Sequence, residues 1–439
     1  MSQLQTDVKA ARTNSLPQRD SSAQPRISIA SNPIQIGPDE PFFQFFPDDY
    51  WSAVADLDIE GAREIAATRT EKRFAEGFAL LSAGDLEKAE DIFTELSGET
   101  SDLTVAVTAK NMLATALLYE HKWARLQSLR DEWKQLHGEL ENIAALAWGS
   151  AFVGAPISET FFPDKPVVMP FRLTAVGTPI IRVGINGKHY DFWLDTGSSI
   201  TVLSSSVADD ARVGALAHDT LVVGTFAGAV SVKPAVIDHL EIGKMVIANS
   251  PAIIMDAALM KVQGGSNAGA SGGVDVDGII GWDVIRHFDV SMDYHNGVVI
   301  FRVPRDLGTR GTSAQNLTWA GKPFVSVRAK YAGTMHFTLD TGAQSSFIDS
   351  SAIAKLRVSA VSSTTRAYGI GKSGGKTVRV VRQAKLTIAG RSLVMKDVIV
   401  NDQAPTGLIN SDGILGSDVG QYGTIRIDAT NGIFSIGVD

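Results

Sequence analysis

FWLDTGSSI, residues 192–200, decides the reading of this 439-residue chain, because a near copy, FTLDTGAQS, returns at residues 337–345. Each copy is an apolar run, an Asp-Thr-Gly triplet and small polar residues. Upstream of the first, IIRVGINGKHYDFWLDTG (residues 180–197) reads as a strand, an Asn186-Gly187 hairpin turn and a second strand entering the triplet. Downstream come DGIIGWD from Asp277 and DGILGSD from Asp412. Asp195 and Asp277 lie 82 positions apart and Asp340 and Asp412 lie 72 apart; the difference equals a glycine-rich insert in the first half, GGSNAGASGG, Gly264 to Gly273. The two halves read as one unit duplicated.

A lone Asp-Thr-Gly arises by chance at about 2 in 10,000 positions, and most single copies would be turns. Two copies, each following an apolar strand and each preceding apolar-apolar-Gly (Ile279–Gly281 and Ile414–Gly416), call for a shared purpose. The pairing resembles the aspartic peptidases over about residues 165–439. The resemblance implies two β lobes related by a pseudo-two-fold axis, with Asp195 and Asp340 meeting between them as catalytic residues. It also implies that Thr196 and Thr341 hydrogen-bond across the interface, while Gly197 and Gly342 let each backbone turn beside its partner.

The chemistry explains the doubling. Hydrolysing an amide without metal or covalent nucleophile takes one carboxylate to accept a proton from water and one carboxylic acid to protonate the carbonyl oxygen. Two carboxyls at about 3 Å cannot both be ionised, so the pair holds a single proton. Ser198 stands where the second half has Ala343, and its hydroxyl is expected to stabilise ionised Asp195. Substrate would lie extended under glycine-rich hairpins. The candidates are Val222–Val230, with Gly224, Thr225 and Phe226, and Ala367–Lys376, with Tyr368, Gly369, Ile370 and Gly371. The first lacks the tyrosine of pepsin, so retroviral-type halves fused in one chain are the nearer likeness.

Residues 1–45 are rich in Ser, Gln, Pro and Arg, which predicts a disordered tail. Residues 46–150 turn helical: Phe74, Phe78 and Leu81, then after Gly84-Asp85, Leu86, Ala89, Phe93 and Leu96, recur at helical spacing. Ala89 and Ala124, 35 positions apart, loosely resemble the about 34-residue period of tetratricopeptide repeats, which implies either a packing domain or a platform for a protein partner. Pro156, Pro163, Pro166 and Pro170 predict a linker over 151–170, leaving lobe 1 as 171–308 and lobe 2 as 309–439. The fold class is thus multidomain: α-helical hairpins, then an all-β bilobal unit.

Composition narrows function. The net charge of −8 offers no basic field for nucleic acid or an anionic membrane. With no cysteine there are no disulfides and no thiol chemistry, and the eight histidines form no HExxH, so neither metal nor cofactor is expected. The N-terminus has no apolar run of about 7–15 residues and no segment reaches membrane-spanning length, which suggests the cytoplasm. Gly369–Gly374 also matches GxGxxG, but KTVRVVRQAKLTI follows it with a strand pattern where a nucleotide site needs a helix. GASGG at Gly269 and GKSGG at Gly371 match G-x-S-x-G without leading into an apolar helix. The sequence therefore reads as an aspartic endopeptidase acting on protein or peptide, the alternative being a non-catalytic scaffold that binds peptides.

Overall fold

The computed structural model of the protein describes residues 49–99, 101–137, 144–174, 177–216, 221–225, 228–262, 274–308, 314–367, 376–402 and 408–437. The expected tail and the Gly264–Gly273 insert lie outside them. Seven helices come first: α1 Asp49–Ala55, α2 Ile59–Ile65, α3 Arg69–Ser82, α4 Leu86–Ser97, α5 Leu103–Tyr119, α6 Trp123–His137 and α7 Ala144–Phe152. A Thr68/Glu71 capping box starts α3, and Gly84, at φ 78°, turns the chain into α4. Phe74, Phe78, Leu81, Ala89, Phe93 and Leu96 are all buried, as their spacing predicts. The 35-residue echo does not carry into three dimensions, because Ala89 is buried while Ala124 is exposed. The left-handed turn matching Gly84 is His121, at φ 55°, so counting from the turns the counterpart of Ala89 is the bulkier, buried Leu126.

Lobe 1 contains β1 Glu159–Phe161, β2 Val167–Leu173, β3 Pro179–Ile185, β4 Lys188–Leu194, β5 Val202–Ser204, α8 Ser205–Asp210, β6 Leu221–Thr225, β7 Gly228–Ile242 and β8 Met245–Met255. It continues with β9 Lys261–Val262, β10 Val274–Asp275, β11 Gly278–Ile280, α9 Trp282–Ile285, β12 Asp289–Asp293 and β13 Val298–Arg302. Asn186 and Gly187 have φ of 49° and 80°, the left-handed pair that a two-residue hairpin needs, and they set the β3–β4 register with Ile180 opposite Trp193. Lobe 2 repeats the plan: β14 Leu317–Trp319, β15 Pro323–Ala329, β16 Gly333–Leu339, β17 Phe347–Asp349, α10 Ser350–Leu356, β18 Ala360–Ala367, β19 Lys376–Ile388, β20 Arg391–Asn401 and β21 Gly413–Leu415. A 3-10 turn, Ser417–Tyr422, leads to β22 Ile425–Asp428 and β23 Ile433–Ile436.

The duplication is visible in the pairing. β11 runs parallel beside β4 and antiparallel to β5; β21 does the same beside β16 and β17. The β7–β8 hairpin has its counterpart in β19–β20. Two features differ from the expected divisions. The stretch 151–170 holds β1, which pairs with β8, and the start of β2, which pairs with β13. Its prolines had masked an alternation in which Val167 and Met169 are buried while Val168 and Pro170 are exposed. The last hairpin of lobe 2 also crosses the lobe boundary, since β22 pairs with β12 in a sheet shared by both lobes. Asp289 there lies opposite Asp428, and Arg426 bridges the two like charges at 2.7 and 3.1 Å.

The helices dock on both lobes. The Asn410 amide donates to the Ala55 carbonyl (2.8 Å), and Tyr119 packs edge-on against Trp319 at 4.6 Å between ring centroids. Among the described residues no helix is long and apolar enough to cross a membrane.

Candidate active site

Each Asp-Thr-Gly begins where an inner strand ends. Phe192, Trp193 and Leu194 are buried at the end of β4, as Phe337, Thr338 and Leu339 are at the end of β16. Asp195 N–H then donates to Ile280 O (3.0 Å) and Asp340 N–H to Leu415 O (2.9 Å). The apolar-apolar-Gly segments therefore lock both loops at the aspartate itself.

Across the interface the threonines exchange hydrogen bonds. Thr196 N–H donates to Thr341 Oγ1 and Thr341 N–H to Thr196 Oγ1, both at 3.0 Å. Each hydroxyl donates onward to the opposite strand, Thr196 to Leu339 O (2.9 Å) and Thr341 to Leu194 O (2.7 Å). The glycines explain how close the loops come. A Cβ on Gly197 would lie 2.5 Å from Asp340 Cγ, and one on Gly342 would lie 2.3 Å from Asp195 Cγ.

Asp195 and Asp340 are fully buried, and each carboxyl lies against the glycine of the opposite loop. Asp195 Oδ1 accepts from the N–H groups of Gly197 (2.8 Å) and Ser198 (3.2 Å), and Asp340 Oδ1 accepts from Ala343 N–H (2.9 Å). Among the described residues neither Oδ2 atom has a hydrogen-bond partner. Burial pushes both carboxyls up; for Asp340 the Asp195 charge adds to burial and drives it well above the usual carboxylate range.

The expected role of the Ser198 hydroxyl is corrected. Ser198 Oγ donates to Ile200 O (2.8 Å), so the side chain is committed to the loop backbone and does not touch Asp195. What Asp195 accepts from Ser198 is the backbone N–H, which Ala343 supplies equally to Asp340.

Two further pairs of residues support the site and were not assigned roles from sequence. Asp277 Oδ2 accepts from Asp191 N–H (3.0 Å) and Asp412 Oδ2 from His336 N–H (2.9 Å), four residues before each aspartate. Behind the loops, Thr201 Oγ1 donates to Asp283 (3.2 Å) and Ser346 Oγ to Asp418 (2.6 Å). Burial pushes Asp283 up to about 7. The signal was present in the repeated GWD and GSD after each apolar pair, which reads as spacing until the fold brings Thr201 and Ser346 beside them.

Of the proposed hairpins, Gly224 and Thr225 end β6, with Thr225 opposite Gly228 on β7. Phe226, Tyr368, Gly369, Ile370 and Gly371 lie outside the described residues. No group of three or more metal-ligating side chains is present among the described residues.

The aspartyl protease family profile matches residues 181–284 and again residues 325–419, one match for each Asp-Thr-Gly. Each β lobe is thus similar to the aspartyl protease family over its central part. Solved structures similar to the chain include an aspartic proteinase from Irpex lacteus, at 15% identity and a TM-score of 0.39, over 61% of this chain and 96% of that one. A retropepsin-like aspartic protease from Rickettsia conorii is 15% identical with a TM-score of 0.21, over 33% of this chain and 92% of that one. A search of curated proteins finds no significant match.

Proposed function

We propose that the protein is an aspartic endopeptidase in which Asp195 and Asp340 share one proton and activate a water against a peptide carbonyl. The observation that carries this reading is the pair of buried carboxyls, one from each duplicated loop, whose Oδ2 atoms have no hydrogen-bond partner among the described residues. Asp195, whose Oδ1 accepts two backbone N–H bonds, holds the negative charge and takes the proton from water. Asp340, driven well above the usual range by burial and by its neighbour's charge, carries the shared proton and gives it to the carbonyl oxygen. The tetrahedral species then collapses as a proton passes to the leaving nitrogen, and the pair titrates as a unit throughout. Thr196, Thr341, Gly197 and Gly342 fix the two carboxyls, while the β6–β7 hairpin lies along the extended substrate as an added strand.

The test is digestion of denatured casein by the parent and by Asp195→Asn, with and without a pepstatin-type inhibitor. Cleavage by the parent alone, stopped by the inhibitor, is the expected result. Equal inertness of parent and variant would leave a peptide-binding scaffold in its place.

A further inference from the structure

The duplication supplies an internal comparison between the two hairpins that precede the long β7 and β19 strands. Among the described residues β6 pairs with β7 alone and β18 with β19 alone, so the two outer strands are topologically equivalent. Their surroundings differ. Leu221 and Val223 of β6 are 3% and 1% exposed, whereas Val361 of β18 is 40% exposed. An outer hairpin strand with no third strand beside it needs another element to bury its apolar face. For β6 that element is α7, which packs against it.

α7 is itself held on a rigid base. Trp148 stacks on Phe152 and Phe152 on Trp123 at the start of α6, with ring centroids 5.7 and 4.9 Å apart. Gly149 lets the two helices close up, since a Cβ there would lie 2.6 Å from the Gln127 backbone nitrogen, and Arg130 bonds the Ser150 hydroxyl. The same helical body grips lobe 2 through Tyr119 on Trp319 and Ala55 on Asn410.

We propose that α7 clamps the lobe 1 hairpin in place, making it a fixed wall of the substrate cleft that its lobe 2 counterpart does not share. This rests on the peptidase reading for what the cleft binds. The helical region is then part of the substrate-binding body, and Trp148 and Val223 are positioning residues that act through β6. An extended substrate would exchange backbone hydrogen bonds with a preordered strand, so loosening the clamp weakens binding while leaving the carboxyl pair untouched.

Hydrogen exchange on the full-length chain tests this, with residues 360–363 of β18 as the reference. In the parent, amides of 221–225 should exchange at least tenfold more slowly than those of the reference. Trp148→Ala and, approaching from the strand, Val223→Ala should erase that difference with β3 and β4 still protected. Both should raise KM for a peptide substrate about fivefold with kcat within about twofold, and Trp148→Phe should restore both readouts. β6 exchanging as fast as β18 in the parent, or staying protected in both variants, overturns the clamp. A parent that cuts no peptide refutes the peptidase reading alone, because exchange decides the clamp without activity.

Discussion

Thr196 and Thr341 each donate a backbone N–H to the other's hydroxyl at 3.0 Å, and through those hydroxyls each reaches the strand that carries the opposite aspartate. The two lobes are thereby joined by four reciprocal bonds next to the buried carboxyls of Asp195 and Asp340.

Removing one hydroxyl tests the join. Thr196→Val keeps the shape but leaves Thr341 N–H and Leu339 O without partners, which should cost about 2–6 kcal/mol in chemical denaturation at roughly 1–3 kcal/mol per buried group. Thr196→Ser should recover most of that stability. Similar stabilities for the two variants would show that the exchange carries little.

The glycines predict a loss of a different kind. Gly342→Ala places a Cβ 2.3 Å from Asp195 Cγ, so the carboxyl must move. A displacement of that order should lower kcat by about 100-fold or more while KM changes little. A Gly342→Ala enzyme with parental kcat would exclude the close approach.

Ser198→Ala should leave the acidic limb of the pH–rate profile where it is, because the hydroxyl bonds Ile200 O and not Asp195. Its expected effect is a stability loss of about 1 kcal/mol from the lost bond. A displaced acidic limb would return the hydroxyl to the electrostatics of Asp195.

Asp283 links stability to pH. Burial raises its carboxyl to about 7, above the ordinary 3.8, so the folded state favours the protonated form. That contribution is complete below 3.8 and is lost as pH rises through 7. Asp283→Asn retains an acceptor for Thr201 and cannot ionise. It should therefore be more stable than the parent at pH 8, by about 1–4 kcal/mol, and nearly equal to it at pH 4. Urea melts at the two pH values decide, and parallel pH dependence of parent and variant would contradict the assignment.

A histidine at the helix–lobe junction acts in the opposite sense. Burial lowers His121 to about 4, and the Arg286 charge adds to it. Folding thus favours neutral imidazole, and the stability this contributes is present above 6.5 and lost as pH falls through 4. His121→Asn, which tolerates the left-handed backbone at φ 55°, should flatten the acid side of the stability profile between pH 6.5 and 4, read by thermal melts. An unchanged acid side would refute the linkage.

Much of the site was legible because duplication writes a signal twice. Asp195 and Asp340, their glycines and the apolar-Gly segments all stand at matching offsets, and the Asn186-Gly187 turn has a single economical reading. The misreadings have local causes. Ser198 differs between the halves and so drew an electrostatic role, yet a hydroxyl two residues from a free carbonyl bonds the nearer acceptor. Prolines over 156–170 read as linker although Pro170 faces outward from a strand whose alternate residues are buried. The Ala89–Ala124 echo counted residues where the turns at Gly84 and His121 set the helical register.

Alone, the sequence determined the duplication, the strand-then-Asp-Thr-Gly order and the helical character of the N-terminal region, since these depend on periodicity and turn chemistry within short windows. Only the tertiary structure decided that β22 joins the sheet of lobe 1, that Asp283 and Asp418 stand behind the loops, and that α7 covers β6 while Val361 of β18 stays exposed. Those outcomes come from contacts between segments far apart in the chain, where burial and shared hydrogen bonds are set by how surfaces fit and no local pattern records the partner.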